Sequence, residues 1–169
     1  MRARAALKGI DPARLVFAPR LPKPQHLARL KLADLFVDTH TYNAHTTSSD
    51  ALWAGVPVIT CPADAFAGRV AASLLKAIGL PELICADVDA YQRSAIELAL
   101  DPQKLAGTRA KLAANRLAYP LFDTARFTRN FERALEAMWQ IHTSGASPQS
   151  FAIEAASGQP SSYASASSP

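Results

Sequence analysis

The chain has 169 residues, 18 Lys and Arg against 14 Asp and Glu for a formal charge of +4, and is 49% apolar but only 19% charged. That balance excludes a disordered or collagen-like chain and allows one domain with a real core. No apolar run approaches the roughly 20 residues of a bilayer span, and the scattered Lys and Arg, without zinc-finger or RNP-like motifs, point away from nucleic acid.

Residues 1–8 are basic but run into Gly9-Ile10-Asp11-Pro12 instead of an apolar h-region, so no export signal is read. Residues 14–18 predict a strand closed by Pro19, and 23–34 a helix with an apolar stripe. A second strand is expected over 35–39 and a third over 57–60, closed by Cys61-Pro62. Residues 66–78 predict a helix that Gly79 ends as a left-handed cap, followed by a strand over 82–86. Helical spacing then covers 89–100, 102–117 and 124–142. In the last of these, Phe127, Phe131, Leu135, Met138 and Trp139 form a stripe that predicts a helix packed on a core.

The alternation over residues 1–143 argues for an α/β domain with a parallel sheet flanked by helices and ending in a long helix. Residues 144–169 hold nine Ser, three Pro and one charge, a composition that predicts a disordered, flexible tail. Cys61 and Cys85, 24 apart with no CxxC, fit a reducing cytoplasm.

The stretch from Asp38 to Pro57 is expected to carry the chemistry. It reads strand, polar loop, helix, turn, strand, with Thr46 or Thr47 as the N-cap, Asp50 as a capping-box acid, and Gly55 and Pro57 at the exit. Free amides at a helix N-terminus, beyond the carboxyl end of a parallel strand, make a preorganised anion site, and phosphate is its natural guest. From chemistry alone, Thr46, Thr47 and Asp50 serve either as caps or as ligand contacts. His45 is equally a solvated loop residue, Lys23 and Arg29 surface charges, and His26 a partly buried aromatic. His40 and His45, five apart with no third ligand, are read as no metal site.

Several ordered motifs go further: Leu15-Val16-Phe17-Ala18-Pro19, Pro22-Lys23-Pro24-Gln25-His26, Leu32-Ala33-Asp34-Leu35-Phe36-Val37-Asp38-Thr39, the run from Asn43 through His45-Thr46-Thr47 to Thr60, and Arg69-Val70-Ala71-Ala72-Ser73. Together with Pro120-Leu121-Phe122-Asp123-Thr124 and Met138-Trp139, over roughly residues 8–142, the chain resembles the C-terminal catalytic lobe of protein O-linked N-acetylglucosamine transferases. The resemblance implies a partial Rossmann-like lobe of a GT-B glycosyltransferase and a UDP-N-acetylglucosamine donor held without a metal cofactor. By motif, the Leu21 backbone in Leu21-Pro22-Lys23 reads the uracil edge and Lys23 approaches the ribose. The family more often has Ala at the Leu21 position. His26 stacks on uracil, Arg29 helps hold the base, His45, Thr46 and Thr47 meet the pyrophosphate, and Asp50 accepts ribose hydroxyls. The implied reaction is inverting transfer to a Ser or Thr hydroxyl of an acceptor protein.

The resemblance places a first catalytic lobe, tetratricopeptide repeats and the opening strands of the second lobe before Arg2. In the strand order 3-2-1-4-5-6, two strands absent from this chain separate the 14–18 strand from the 35–39 strand. Turnover is therefore expected to need that missing segment as a partner, and the isolated chain is expected to be marginally stable or self-associating. Transfer of another sugar, fucosyl or glucosyl, and a noncatalytic remnant are the alternative readings.

Overall fold

The computed structural model describes residues 1–153. Two short strands pair in parallel: β1 (Phe36–Val37) with β2 (Val58–Ile59), in the register Phe36 to Val58 and Val37 to Ile59. Thr60 extends the ladder to Ile84 by a single parallel bridge, in which Thr60 N–H donates to Leu83 O (3.1 Å) and Cys85 N–H to Thr60 O (2.8 Å). Both β2 residues are buried, as parallel strands covered on two faces require, whereas Val37 of β1 is exposed.

Among the described residues there are seven α-helices. They are α1 (Arg2–Leu7), α2 (Lys23–Leu30), α3 (Thr46–Ala54), α4 (Val70–Ala77), α5 (Val88–Leu100), α6 (Pro102–Asn115) and α7 (Thr124–Thr143). Because the strands are parallel, each return needs a crossover, and α3 supplies the one from β1 to β2. The second, through α4, ends at the Ile84 bridge. Gly55 (φ +85°) and Gly79 (φ +74°) end α3 and α4 in the left-handed region that glycine occupies without strain. Gly79 N–H donates to Lys76 O (3.2 Å) and Leu80 N–H to Leu75 O (2.9 Å), the paired bonds of a Schellman ending. Asp87, Asp101 and Asp123 accept backbone amides at the starts of α5, α6 and α7.

The core gathers Leu52 of α3, Val58 and Ile59 of β2, Leu75 of α4, and Ile78 and Leu80 beyond it, all fully buried. Side chains of α6 and of Arg116, its C-cap, tie it to its neighbours: Asn115 Nδ2 donates to Ile78 O (2.9 Å), Arg116 Nη1 to Trp53 O (3.0 Å) and Arg109 Nη1 to Ala33 O (3.0 Å).

Three expectations need correction. Residues 14–18 form no strand: 12–14 are a 3-10 turn, 15–18 have no regular structure, and Val16 is 85% exposed. A strand exists only as half of a ladder, and no described segment pairs with this one. The 82–86 strand shrinks to the one bridge because Pro81–Leu83 wind into a 3-10 turn. Finally, the apolar stripe of α7 is not packed on the core, since no residue of that helix is buried.

Residues 146–151 have no regular secondary structure and lie along the end of α7, where Pro148 and Phe151 line a cavity with Met138 and Ile141. The remainder of the expected tail, 154–169, lies outside the described residues. Among the described residues no helix is long and apolar enough to cross a membrane.

Candidate functional site

β1 delivers the chain at its carboxyl end to a loop that rises into α3, the place where open α/β sheets bind ligands. His45, not Thr46 or Thr47, is the N-cap of α3, and its side chain makes no cap bond. The helical ladder begins with Ser49 N–H on His45 O (3.1 Å), so the amides of Thr46, Thr47 and Ser48 precede it. Thr46 and Thr47 are exposed. Asp50 does not close a capping box, because with His45 as the cap it sits too far along the helix to reach back. It lies one turn above Thr46 and Thr47 on the same face of α3.

Asp50 joins α3 to α2. Lys23 Nζ donates to Asp50 Oδ1 at 2.5 Å, across 27 positions of sequence, and His26 Nε2 stands 3.8 Å from Asp50 Oδ2. The Asp50 side chain is 14% exposed, so the carboxylate is largely enclosed between α2 and α3 but not sealed from solvent. One helical turn beyond His26, Arg29 places Nη2 3.4 Å from His26 Nδ1 and donates through Nη1 to Pro19 O (2.8 Å). Leu21, His26 and Arg29, with Ala18, Pro19 and Arg20, line a cavity of about 400 Å³. Pro22 is the residue from which α2 starts.

A second cavity of about 400 Å³ opens at the start of α3, lined by Thr39, Tyr42, Asn43, His45 and Thr47 among others. His45 Nε2 lies 3.3 Å from Ala67 O, which as a carbonyl accepts only, so a hydrogen bond there requires the proton on Nε2. Its ring stacks on Tyr42 (5.3 Å between centroids) and meets Phe66 edge-on (6.1 Å). The structure thus draws the expected residues into two adjoining groups: Leu21, Lys23, His26, Arg29 and Asp50 between α2 and α3, and His45, Thr46 and Thr47 at the start of α3.

Three residues here escaped the sequence reading. Asp38 is 4% exposed, with both carboxylate oxygens engaged. Asn43 is buried with Nδ2 on Thr39 O (3.0 Å), and Tyr91 of α5 donates its hydroxyl to Asp38 O (2.5 Å). The available signal was a carboxylate directly after a strand, where a buried charge needs converging donors. Burial first, then the Asp38 charge, pushes the Tyr91 phenol up to about 12. Cys61 and Cys85 are free and buried; burial raises both thiols above their ordinary value, the opposite of an activated nucleophile. Among the described residues no three His, Cys, Asp or Glu side chains stand together as metal ligands.

A family model described as glycosyl transferase family 41 matches residues 1–131. The SEC protein of Arabidopsis thaliana, described as a probable UDP-N-acetylglucosamine–peptide N-acetylglucosaminyltransferase, is 43% identical over 153 residues, 90% of this chain and 16% of that protein. The Caenorhabditis elegans UDP-N-acetylglucosamine–peptide N-acetylglucosaminyltransferase is 40% identical over 138 residues, 82% of this chain and 12% of that one. Among solved structures, a mutant O-GlcNAc transferase of Thermobaculum terrenum superposes with a TM-score of 0.76 at 33% identity, covering 82% of this chain and 26% of its own. The chain therefore spans less than a fifth of these two curated relatives.

Proposed function

Because the chain belongs to glycosyl transferase family 41 and has the fold of a partial C-terminal GT-B lobe, we propose that it forms the nucleotide-binding half of a donor site for UDP-N-acetylglucosamine. The observation that carries this reading is the convergence of Lys23, His26 and Asp50 beside the Leu21–Arg29 cavity, one helical turn from the open amides of α3. A uridine nucleotide matches that sequence of chemistries. His26 and Arg29 offer a stacking face and cation for the base, with the Leu21 and Pro22 backbone alongside. Lys23 and the Asp50 carboxylate suit ribose hydroxyls, and His45, Thr46 and Thr47 suit the diphosphate.

In the whole protein, a Ser or Thr hydroxyl of the acceptor attacks the anomeric carbon. The bond from that carbon to the diphosphate oxygen breaks with inversion, and UDP leaves with the electron pair. The hydroxyl proton passes to a base outside this nucleotide half. Negative charge grows on the leaving diphosphate, and preorganised amides at Thr46, Thr47 and Ser48, with the two threonine hydroxyls, are placed to stabilise it in the role that a metal plays elsewhere. The remaining lobe, repeats and acceptor protein are the partners this reading calls for. A reducing cytoplasm is in keeping with the two free cysteines.

The test is a UDP titration of the purified chain followed by two-dimensional amide NMR, with His26→Ala and Asp50→Ala alongside. Saturable shifts near α2 and α3 are expected, with affinity reduced about tenfold in each variant, the effect of one lost polar contact. Dispersed spectra that ignore UDP would reject the reading.

A further inference from the structure

We propose that Asp38 is the positioning residue of the α3 anion site: its buried carboxylate holds the 39–45 loop so that the first amides of α3 face the ligand. Asp38 lies just past β1, and three donors converge on it, two from the 39–45 loop and one from the end of β2. Oδ1 accepts the amides of Thr39 (2.8 Å) and Ala44 (2.7 Å), and Oδ2 accepts the Thr60 hydroxyl (2.6 Å). Its own carbonyl accepts the Tyr91 hydroxyl from α5. Thr60 is in turn fixed through its backbone to Leu83 and Cys85, so the carboxylate is referenced to the sheet and not to another loop.

An ionised carboxylate is acceptor-only, with room on each oxygen for two donors, which suits three incoming hydrogens and no outgoing one. The Ala44 bond matters most. Ala44 immediately precedes His45, the N-cap of α3, so fixing its amide fixes the entry of the chain into the helix. Asn43 braces the same loop through its backbone N–H to Ala67 O (2.9 Å) and Nδ2 to Thr39 O. Remove the carboxylate and two backbone amides, both in the loop, lose their acceptor together.

The nature of the ligand rests on the donor-site reading above; the positioning role does not, and two kinds of measurement separate them. In the full chain, hydrogen exchange at the Thr39 and Ala44 amides reports the loop, while titrations with UDP, inorganic pyrophosphate and uridine report the site. In Asp38→Ala both amides should exchange faster, and UDP and pyrophosphate should bind about tenfold more weakly, the effect of hydrogen bonds lost at a buried site. Uridine, which reaches the Leu21–Arg29 cavity and Asp50 but not the first amides of α3, should bind within about twofold of wild type, a split that general destabilisation would not produce. Asp38→Asn should recover most of the affinity. Its Oδ1 still accepts both amides, and its Nδ2 can donate to Thr60 once that hydroxyl turns round.

Thr60→Val, which removes one donor without changing volume, should speed Ala44 exchange and weaken pyrophosphate binding less than Asp38→Ala does. If Asp38→Ala fails to fold, Thr60→Val and Asp38→Asn decide. Unchanged Ala44 exchange in every variant that folds, equal losses for uridine and UDP, or an Asn variant as impaired as the Ala variant would overturn the proposal. A wild-type chain that binds neither UDP nor pyrophosphate would reject the donor-site reading, while the exchange data would still decide whether Asp38 fixes the loop.

Discussion

The α3–β2–α4 region and α7 both carry large apolar side chains and meet opposite fates. Leu52, Val58, Ile59 and Leu75 are completely buried, whereas Phe127 and Trp139 of α7 are each 66% exposed and no α7 residue is buried. Of their helices, α4 and α7 both have the periodicity of an amphipathic element. The difference is that α3, β2 and α4 close around one another within about 35 residues of sequence, while α7 meets the rest of the chain mainly at the 120–122 turn. Periodicity records that a helix has an apolar side; burial depends on what else is present to cover it.

The most direct way to break this comparison is a pair of truncations. Leu75→Ala empties a fully enclosed site and should cost about 2–5 kcal/mol in urea unfolding. Leu135→Ala, on the half-exposed face of α7, should stay within about 0.5 kcal/mol. An equal loss at Leu135 would show that the α7 face is covered in solution, and sedimentation would then reveal the self-association expected from the sequence.

The next effect sharpens the picture of how the core region is closed. Gly79→Ala puts a left-handed residue where side chains cost about 1–2 kcal/mol by backbone alone. Its Cβ would also fall 2.3 Å from the Tyr119 ring. The loss should therefore exceed the backbone cost, and Gly145→Ala, at the same kind of φ but with open space around it, should show the backbone cost only.

The smallest effect lies between core and site. Tyr91→Phe removes the hydrogen bond to Asp38 O and should cost about 1 kcal/mol at neutral pH. Its pH dependence has a defined sign. The folded phenol is pushed up to about 12, above the ordinary value near 10, so the unfolded chain loses this proton first. The stabilisation is complete below pH 10 and is lost as pH rises toward 12. Wild type should therefore lose stability more steeply than Tyr91→Phe over that interval, and parallel profiles would refute the assignment.

Much of the site was legible in advance because its residues are local. His45, Thr46 and Thr47 announce a helix start after a strand, and Lys23, His26 and Arg29 share one short helix. The cap assignment failed by one or two positions because threonine propensity does not say where the loop will first turn helical; the backbone bonds to Asp38 and Ala67 set that point. Asp50 was singled out for the right helix and given the wrong local partner, since an i to i+3 pattern cannot reveal a lysine 27 residues away.

Local chemistry in the sequence was enough to determine the α/β alternation, the glycine endings of α3 and α4 and the motifs of the family, because each depends on a few neighbouring residues. Tertiary structure alone decided that, among the described residues, 14–18 pair with no strand and no α7 residue is buried, that Lys23 meets Asp50 and that Asp38 receives three donors. Strands, ion pairs and buried carboxylates each need a partner from a distant segment, and only the folded chain brings that partner within hydrogen-bonding distance.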